Sequence, residues 1–144
     1  MSPKLAIVEV LGGQKILHEE LGSSLDLTAW IRRGLPYSSL ESLRKRFRLR
    51  RTEISSALGL PQRTLARRRQ ERRLSPAESD RLVRMARIAA MAVAVLGTED
   101  KASLWLHRPN RALGGEMPLA LLDTDLGARE VEQVLGRIEQ GIHS

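Results

Sequence analysis

The sequence predicts an all-α protein, and three observations carry that expectation. Apolar residues recur at helical spacing from Leu40 to the end of the chain, helix-start and helix-stop signals punctuate it, and no strand-like alternation occurs after residue 24. The hydrophobic share of 42% is enough for a core, drawn from Leu, Ala, Val and Ile, with only four aromatics: Trp30, Tyr37, Phe47 and Trp105. A chain of 144 residues makes one domain of common size or two small ones sharing a core.

The first 24 residues are the least readable. Residues 5–11 are either a short strand or a turn of apolar helix, broken by Gly12-Gly13. Residues 15–21 read as a short helix ended by Gly22. Ser24 N-caps a helix through Leu25, Leu27, Trp30 and Ile31, stopped by Gly34 and Pro36. Ser38 or Ser39 opens the next, with Leu40, Leu43 and Phe47 inward at i, i+3 and i+7. Thr52 begins a helix over 52–58 that breaks at Gly59. Pro61 begins another, through Leu65 to about Gln70, because proline suits a first helical turn.

Ser75-Pro76-Ala77-Glu78 is a strong helix start, with Ser75 as N-cap, Pro76 at the first position and Glu78 at the third to close a capping box. That helix runs to Leu96 and stops at Gly97. Its first half carries Arg81, Arg84 and Arg87 three residues apart, a polar stripe. Its second half, 88–96, has no polar residue, and a helix apolar on all sides must be enclosed. It is either the centre of an all-helical domain or part of a dimer interface. Thr98 caps a helix over 99–107 with acids in its first turn and Trp105 and Leu106 inward. Trp105 reads as core. Residues 110–113 and 118–122 read as short helical turns around Gly114-Gly115, a turn needing positive φ, and Asn110 caps the turn after Pro109. Asp123-Thr124-Asp125 starts the last helix, whose Val131, Val134/Leu135, Ile138 and Ile142 keep helical spacing.

Charge divides the chain. Residues 44–73 hold twelve Lys/Arg against two acids, a net +10, while the whole chain carries +7, so the remainder sums to −3. An ordinary solvated face mixes both signs; this one barely does, and such a module seeks a polyanion. Within it, 52–70 has the grammar of a helix-turn-helix. Ser55 is the small residue where two helices approach, Gly59 the turn, and Ile54, Leu58, Leu60 and Leu65 the apolar contacts. The second helix then exposes Gln62, Arg63, Thr64 and Arg67, residue types that reach base edges or phosphates. Arg46, Arg51 and Arg68 complete the expected DNA-binding set. Arg68 stands where many such helices place a third apolar residue. The scarcity of aromatics argues against base-stacking recognition.

Other classes find little support. The absence of cysteine excludes disulfides, thiolate zinc sites and cysteine nucleophiles. His18, His107 and His143 lie in no metal-ligand spacing, and neither a metal nor a cofactor is expected. No nucleophile–base pair supports an enzyme, and Gly12-Gly13-Gln14-Lys15 lacks the flanking spacing of a phosphate loop. No secretory signal is visible, and the apolar run 88–96 is only nine residues, so a cytoplasmic protein without a membrane span is expected.

Three segments together resemble the Xre/MbcA/ParS antitoxin family over about residues 38–144. They are Arg63-Thr64-Leu65-Ala66-Arg67-Arg68, then Leu74-Ser75-Pro76-Ala77-Glu78-Ser79-Asp80-Arg81-Leu82, and a dispersed C-terminal series. The series comprises Trp105-Leu106, Pro109-Asn110, Leu113-Gly114-Gly115, Pro118-Leu119, Leu122-Asp123-Thr124, Gly127-Ala128 and the ending Arg137-Ile138-Glu139-Gln140-Gly141-Ile142. The resemblance implies a type II antitoxin with a helix-turn-helix and a C-terminal toxin-binding domain. Its implied partner is a RES-domain toxin that depletes NAD, and it implies repression of its own operon.

Residues 123–144 hold five acids and two arginines on an amphipathic helix that ends almost at the terminus. With the resemblance, this reads as an acidic helical plug for a toxin cleft. Arg137, Glu139, Gln140, His143 and Ser144 are its expected contacts. The expected division is a variable arm over 1–37, a helix-turn-helix module over 38–73 and a helical toxin-binding domain over 74–144, forming a homodimer within a toxin–antitoxin assembly. The rival is a stand-alone helix-turn-helix regulator whose C-terminal domain only dimerises.

Overall fold

The helix that Ser75 opens is the axle of the molecule. The computed structural model describes residues 3–13, 17 and 27–141. Among them are α1 (Pro3–Val10), α2 (Leu27–Arg33), α3 (Tyr37–Arg46), α4 (Arg51–Leu58), α5 (Gln62–Glu71), α6 (Pro76–Leu96), α7 (Glu99–Leu106) and α8 (Asp125–Glu139). Two 3-10 turns, Arg111–Leu113 and Pro118–Leu121, lie between α7 and α8. The architecture is all-α. The extended pairing found among the described residues is an isolated bridge between Pro36 and Arg73.

The α6 start forms as its residues require. Ser75 Oγ accepts from the Glu78 N–H at 3.2 Å and Glu78 Oε1 accepts from the Ser75 N–H at 2.8 Å, so two otherwise orphaned donors are satisfied. Gly97, at φ 104°, ends the helix. Helices α1, α2, α4, α7 and α8 all pack against α6, burying Leu82, Met85, Ala86, Ile88, Ala89 and Ala92.

Core packing is continuous from the basic module into the C-terminal helices. Phe47 and Leu49 meet Met85, Ala89, Leu106, Leu119 and Leu122 around a void of only about 10 Å³. The Ser103 hydroxyl of α7 donates to the Phe47 carbonyl at 2.6 Å, in the interior. Burying a side chain of Phe47's size contributes on the order of 1.5–3 kcal/mol, so this seam is a structural joint.

A second joint crosses the chain upon itself. The Leu74 N–H donates to the Leu35 carbonyl at 2.9 Å, and the Tyr37 N–H to the Arg72 carbonyl at 3.0 Å. Ser79 of α6, fully buried, accepts from the Leu35 N–H at 2.7 Å. The approach demands Gly34: at φ 90°, a Cβ there would sit 2.2 Å from the Leu74 carbonyl oxygen.

Of the two readings of residues 5–11 the helical one holds: α1 covers Pro3–Val10, and Ile7, Val8, Val10 and Leu11 join the core. Other expectations are corrected. α3 starts at Tyr37 behind Pro36, not at Ser38 or Ser39, because the bridge to Arg73 holds Pro36 extended and Ser39 faces inward. α4 starts at Arg51, one residue before Thr52, where Glu53 Oε1 accepts from the Arg50 N–H at 2.7 Å. The helix read over 15–21, the Ser24 cap and the inward Ile142 lie outside the described residues.

Arg81, Arg84 and Arg87 are not a solvated stripe. Each reaches a different element: Arg81 to the Leu58 carbonyl at 2.9 Å, Arg84 to the Leu122 carbonyl at 3.2 Å, and Arg87 to Glu132 of α8 at 2.6 Å. Nor is 88–96 enclosed on all sides. Ile88, Ala89 and Ala92 are buried, but Ala94 is exposed and Met91, Val93, Val95 and Leu96 are only partly covered.

The Glu78 carboxylate also receives α5. Arg68 Nε lies 2.8 Å from Oε1 and Nη2 3.0 Å from Oε2, a two-pronged pair on a residue only 5% exposed. Burial alone would raise the Glu78 carboxyl; the Arg68 guanidinium and the Ser75 N–H outweigh it and hold it below the ordinary carboxylate value. A depressed folded pKa contributes stability that is full above the unfolded value of 4.5 and is lost as pH falls through the lower folded value. Arg68→Ala strands the buried carboxylate and should cost roughly 3–5 kcal/mol at neutral pH. Urea titrations of both proteins across pH 7 to 3 check this: the gap should narrow on the acid side, and a constant gap would contradict the ion pair.

Candidate nucleic-acid interface and C-terminal surface

The turn between α4 and α5 is built as helix-turn-helix chemistry requires. Gly59 takes the left-handed conformation at φ 65°. Ser55 is buried, its hydroxyl donating to the Leu60 carbonyl, while the Leu60 N–H donates to the Ser55 carbonyl at 2.9 Å. Ile54, Leu58 and Leu65 are buried between the helices. Arg81 of α6 holds the last carbonyl of α4 and so ties this pair to the axle. α5 presents Gln62, Arg63 and Arg67 to solvent, with Thr64 half-buried.

The +10 segment is not one surface. Arg44 and Arg51 both face Glu41, at 2.9 and 3.2 Å. Arg46 bridges Glu99 of α7 at 3.1 Å and Glu9 of α1 at 3.4 Å, and Arg48 meets Asp100 at 3.1 Å. Arg68 is held by Glu78 and by Glu71 at 3.1 Å. Arg67 meets Glu71 at 3.6 Å, an exposed pair of little energetic consequence. Arg73 donates to the Gly34 carbonyl at 3.0 Å. Among the described residues, Lys45, Arg50, Arg63, Arg69 and Arg72 form no ion pair. Arg46 and Arg68 therefore point away from the exposed side of α5, each toward acids of its own chain.

Arg51 and Gln62 are brought together, beside two residues not singled out from the sequence, Tyr37 and Arg69. With Leu65 and Ala66 they line a cavity of about 130 Å³ between α5 and the starts of α3 and α4. Part of the signal was present: Gln62, Ala66 and Arg69 fall at i, i+4 and i+7, one face of a helix. Tyr37 carried none, because only the fold places the start of α3 there.

The C-terminal motifs sit where backbone geometry is most constrained. Thr98 Oγ1 accepts from the Lys101 N–H at 3.1 Å and Thr124 Oγ1 from the Gly127 N–H at 2.9 Å, capping α7 and α8. Asn110 Oδ1 accepts from the Ala112 N–H at 2.9 Å, and its backbone bonds both Gly115 and Glu116. Gly114 and Gly115 have φ of 68° and 87°. A Cβ at Gly127 would lie 2.0 Å from the Leu121 carbonyl oxygen. Trp105 is half-buried, while Leu106 is fully inside.

On α8, Val131, Val134 and Leu135 are buried, and Arg137 and Glu139 are exposed, as is Gln140 just beyond it. His143 and Ser144 lie outside the described residues. Leu104 and Leu126 stand out as exposed apolar side chains, at 52% and 70%. Among the described residues no grouping of His, Asp and Glu could hold a metal ion, and no helix is long and apolar enough to cross a membrane.

A helix-turn-helix is thus seated on the same axle as a capped C-terminal helical region, and comparison with known proteins identifies both parts. Residues 26–87 match the antitoxin Xre-like helix-turn-helix domain, and residues 91–141 match the antitoxin Xre/MbcA/ParS C-terminal toxin-binding domain. An antitoxin Xre of Yersinia enterocolitica (serotype O:8 / biotype 1B) is 36% identical over 116 residues, 79% of this chain and 78% of that one. An antitoxin Xre of Photorhabdus laumondii is 34% identical over 120 residues, 82% and 81% of the two chains. An antitoxin Xre of Pseudomonas putida is 37% identical over 123 residues, 85% and 76%. The chain belongs to the antitoxin Xre family.

Proposed function

We propose that the chain neutralises a RES-domain, NAD-depleting toxin by occluding its active site with the C-terminal domain, and that it represses its own operon through the α4–α5 pair. The observation that carries this reading is the union of the two surfaces on one axle. Exposed Gln62, Arg63 and Arg67 lie on a correctly built recognition helix, and a toxin-binding domain of matching family shares its core. The proposed DNA face leans less on Arg46 and Arg68, whose side chains are 30% and 20% exposed and bridge acids of the same chain, than on Arg67, at 62%.

The DNA half is tested by titration with promoter and scrambled duplexes at several salt concentrations. Arg63→Ala should cost on the order of 1–3 kcal/mol and relax sequence preference. Arg46→Ala should change affinity less than Arg63→Ala does. Binding indifferent to salt would contradict an electrostatic grip.

The toxin half separates an antitoxin from a stand-alone regulator. Deleting 141–144, or reversing the charges of Arg137 and Glu139, should leave operator binding intact while rescue from the co-expressed cognate toxin fails. NAD levels and operator binding measured in parallel check it. Full rescue would move the contact to another C-terminal surface, such as the one that exposes Leu104.

We further propose a homodimer within the toxin–antitoxin assembly. The supporting observation is the incompletely covered outer side of α6, where Ala94 is exposed and Met91 and Ala90 line an apolar groove of about 260 Å³ with Ala6 and Ile7 of α1. Light scattering should give twice the 16.1 kDa chain mass at micromolar concentration. A 16.1 kDa particle, both free and on DNA, is the contrary result.

A further inference from the structure

We propose that the cavity between the recognition helix and the starts of α3 and α4 is a seat for a single phosphate of the nucleic-acid backbone, one that sets the register of α5 on the duplex. The proposal rests on the reading of α4–α5 as a DNA-binding pair and names a contact within it.

The polar part of the lining is rich in N–H and O–H donors, and Arg51 already donates to the Tyr37 oxygen. Arg51 and Arg69 supply guanidinium N–H groups, Gln62 a carboxamide and Tyr37 a phenol, and no carboxylate lines the space. Burial and then the neighbouring Glu41 charge push the Tyr37 phenol up, so its hydroxyl keeps its proton and remains able to donate. Glu41, which is not a lining residue, pairs with Arg44 at 2.9 Å and with Arg51 at 3.2 Å. Arg69 forms no ion pair among the described residues and is exposed. Its charge is the uncompensated one. One uncompensated cation, with Arg51, Gln62 and Tyr37 beside it, favours an oxyanion, to which charge-assisted hydrogen bonds are the strong kind.

Along α5 the lining runs from Gln62, its first residue, through Leu65 and Ala66 to Arg69 in its last turn, so the space lies along the side of the helix over about 10 Å. The volume, about 130 Å³, holds roughly four waters at about 30 Å³ each. Arg63, exposed and next along α5 from Gln62, is not part of the lining and stays available to the duplex.

The test is a methylphosphonate scan, in which single phosphates of a promoter duplex are replaced by the neutral analogue. It is run on the full chain and on its Arg69→Gln and Tyr37→Phe variants. Arg69 is exposed and Tyr37→Phe keeps the ring, and thermal melts confirm that both variants fold. One position per half-site should cost the unaltered protein about tenfold in affinity and cost Arg69→Gln less than twofold. The salt slope of Arg69→Gln should fall by about 0.9, the value of one phosphate. Equal penalties at every position in variant and parent, with DNA still bound, would overturn the seat while leaving the DNA-binding reading standing. Failure of the unaltered protein to bind any duplex would overturn both. A parallel NMR titration with inorganic phosphate alone separates the sources. Saturable shifts at Tyr37 below millimolar phosphate, without a methylphosphonate effect, would reassign the cavity to a free anion and overturn the backbone-phosphate proposal.

Discussion

The Glu78 carboxylate is the group on which the two halves of the molecule depend. It closes the capping box that starts α6, and it receives both prongs of the Arg68 guanidinium from α5. A buried carboxylate is tolerated only when its oxygens are satisfied, so α5 and the long helix are bound to a common geometry. Three further arginines along α6 extend the arrangement. Arg81 takes the end of α4, Arg84 the Leu122 carbonyl and Arg87 the side of α8. The α4–α5 pair and the C-terminal domain are thereby referred to one rod.

This changes the meaning of the basic segment. As a string of residues it is a +10 module beside a −3 remainder. In three dimensions four acids of that remainder lie against it: Glu9 and Glu99 at Arg46, Asp100 at Arg48, Glu78 at Arg68. These pairs join α1, α6 and α7 to the helix-turn-helix. The cations without an ion pair among the described residues are Lys45 on α3, Arg50 before α4, Arg63 and Arg69 on α5 and Arg72 just past it, fewer than the net charge suggests. Long-range attraction for a polyanion still follows the net charge, whereas register on it follows the few unpaired groups.

The C-terminal motifs tell a parallel story. Asn110, Gly114, Gly115, Thr124 and Gly127 occupy caps, positive-φ turns and a close backbone approach. They are the residues by which the family can be recognised, and they specify the path of the chain between α7 and α8. Contact with a partner has to come from what that path exposes, including Leu104, Leu126 and the outer side of α8.

The sequence by itself determined the helical class, the capped start of α6, the Gly59 turn with Ser55 beside it and the inward stripe of α8. Each of these is local: capping boxes, left-handed turns and helical spacing act over a few residues and leave a signature in order of sequence. Only the tertiary structure decided which arginines are paired, since Arg46 meets an acid 53 residues away and Arg87 one 45 residues away. It also placed Tyr37 beside Arg51 and Arg69, extended the N-terminal side of α3 through the bridge to Arg73, and left the outer side of 88–96 uncovered. A side chain's composition says that it can bear charge or apolar surface. Whether that capacity is met within the chain or kept for a partner depends on distances that helical periodicity does not encode.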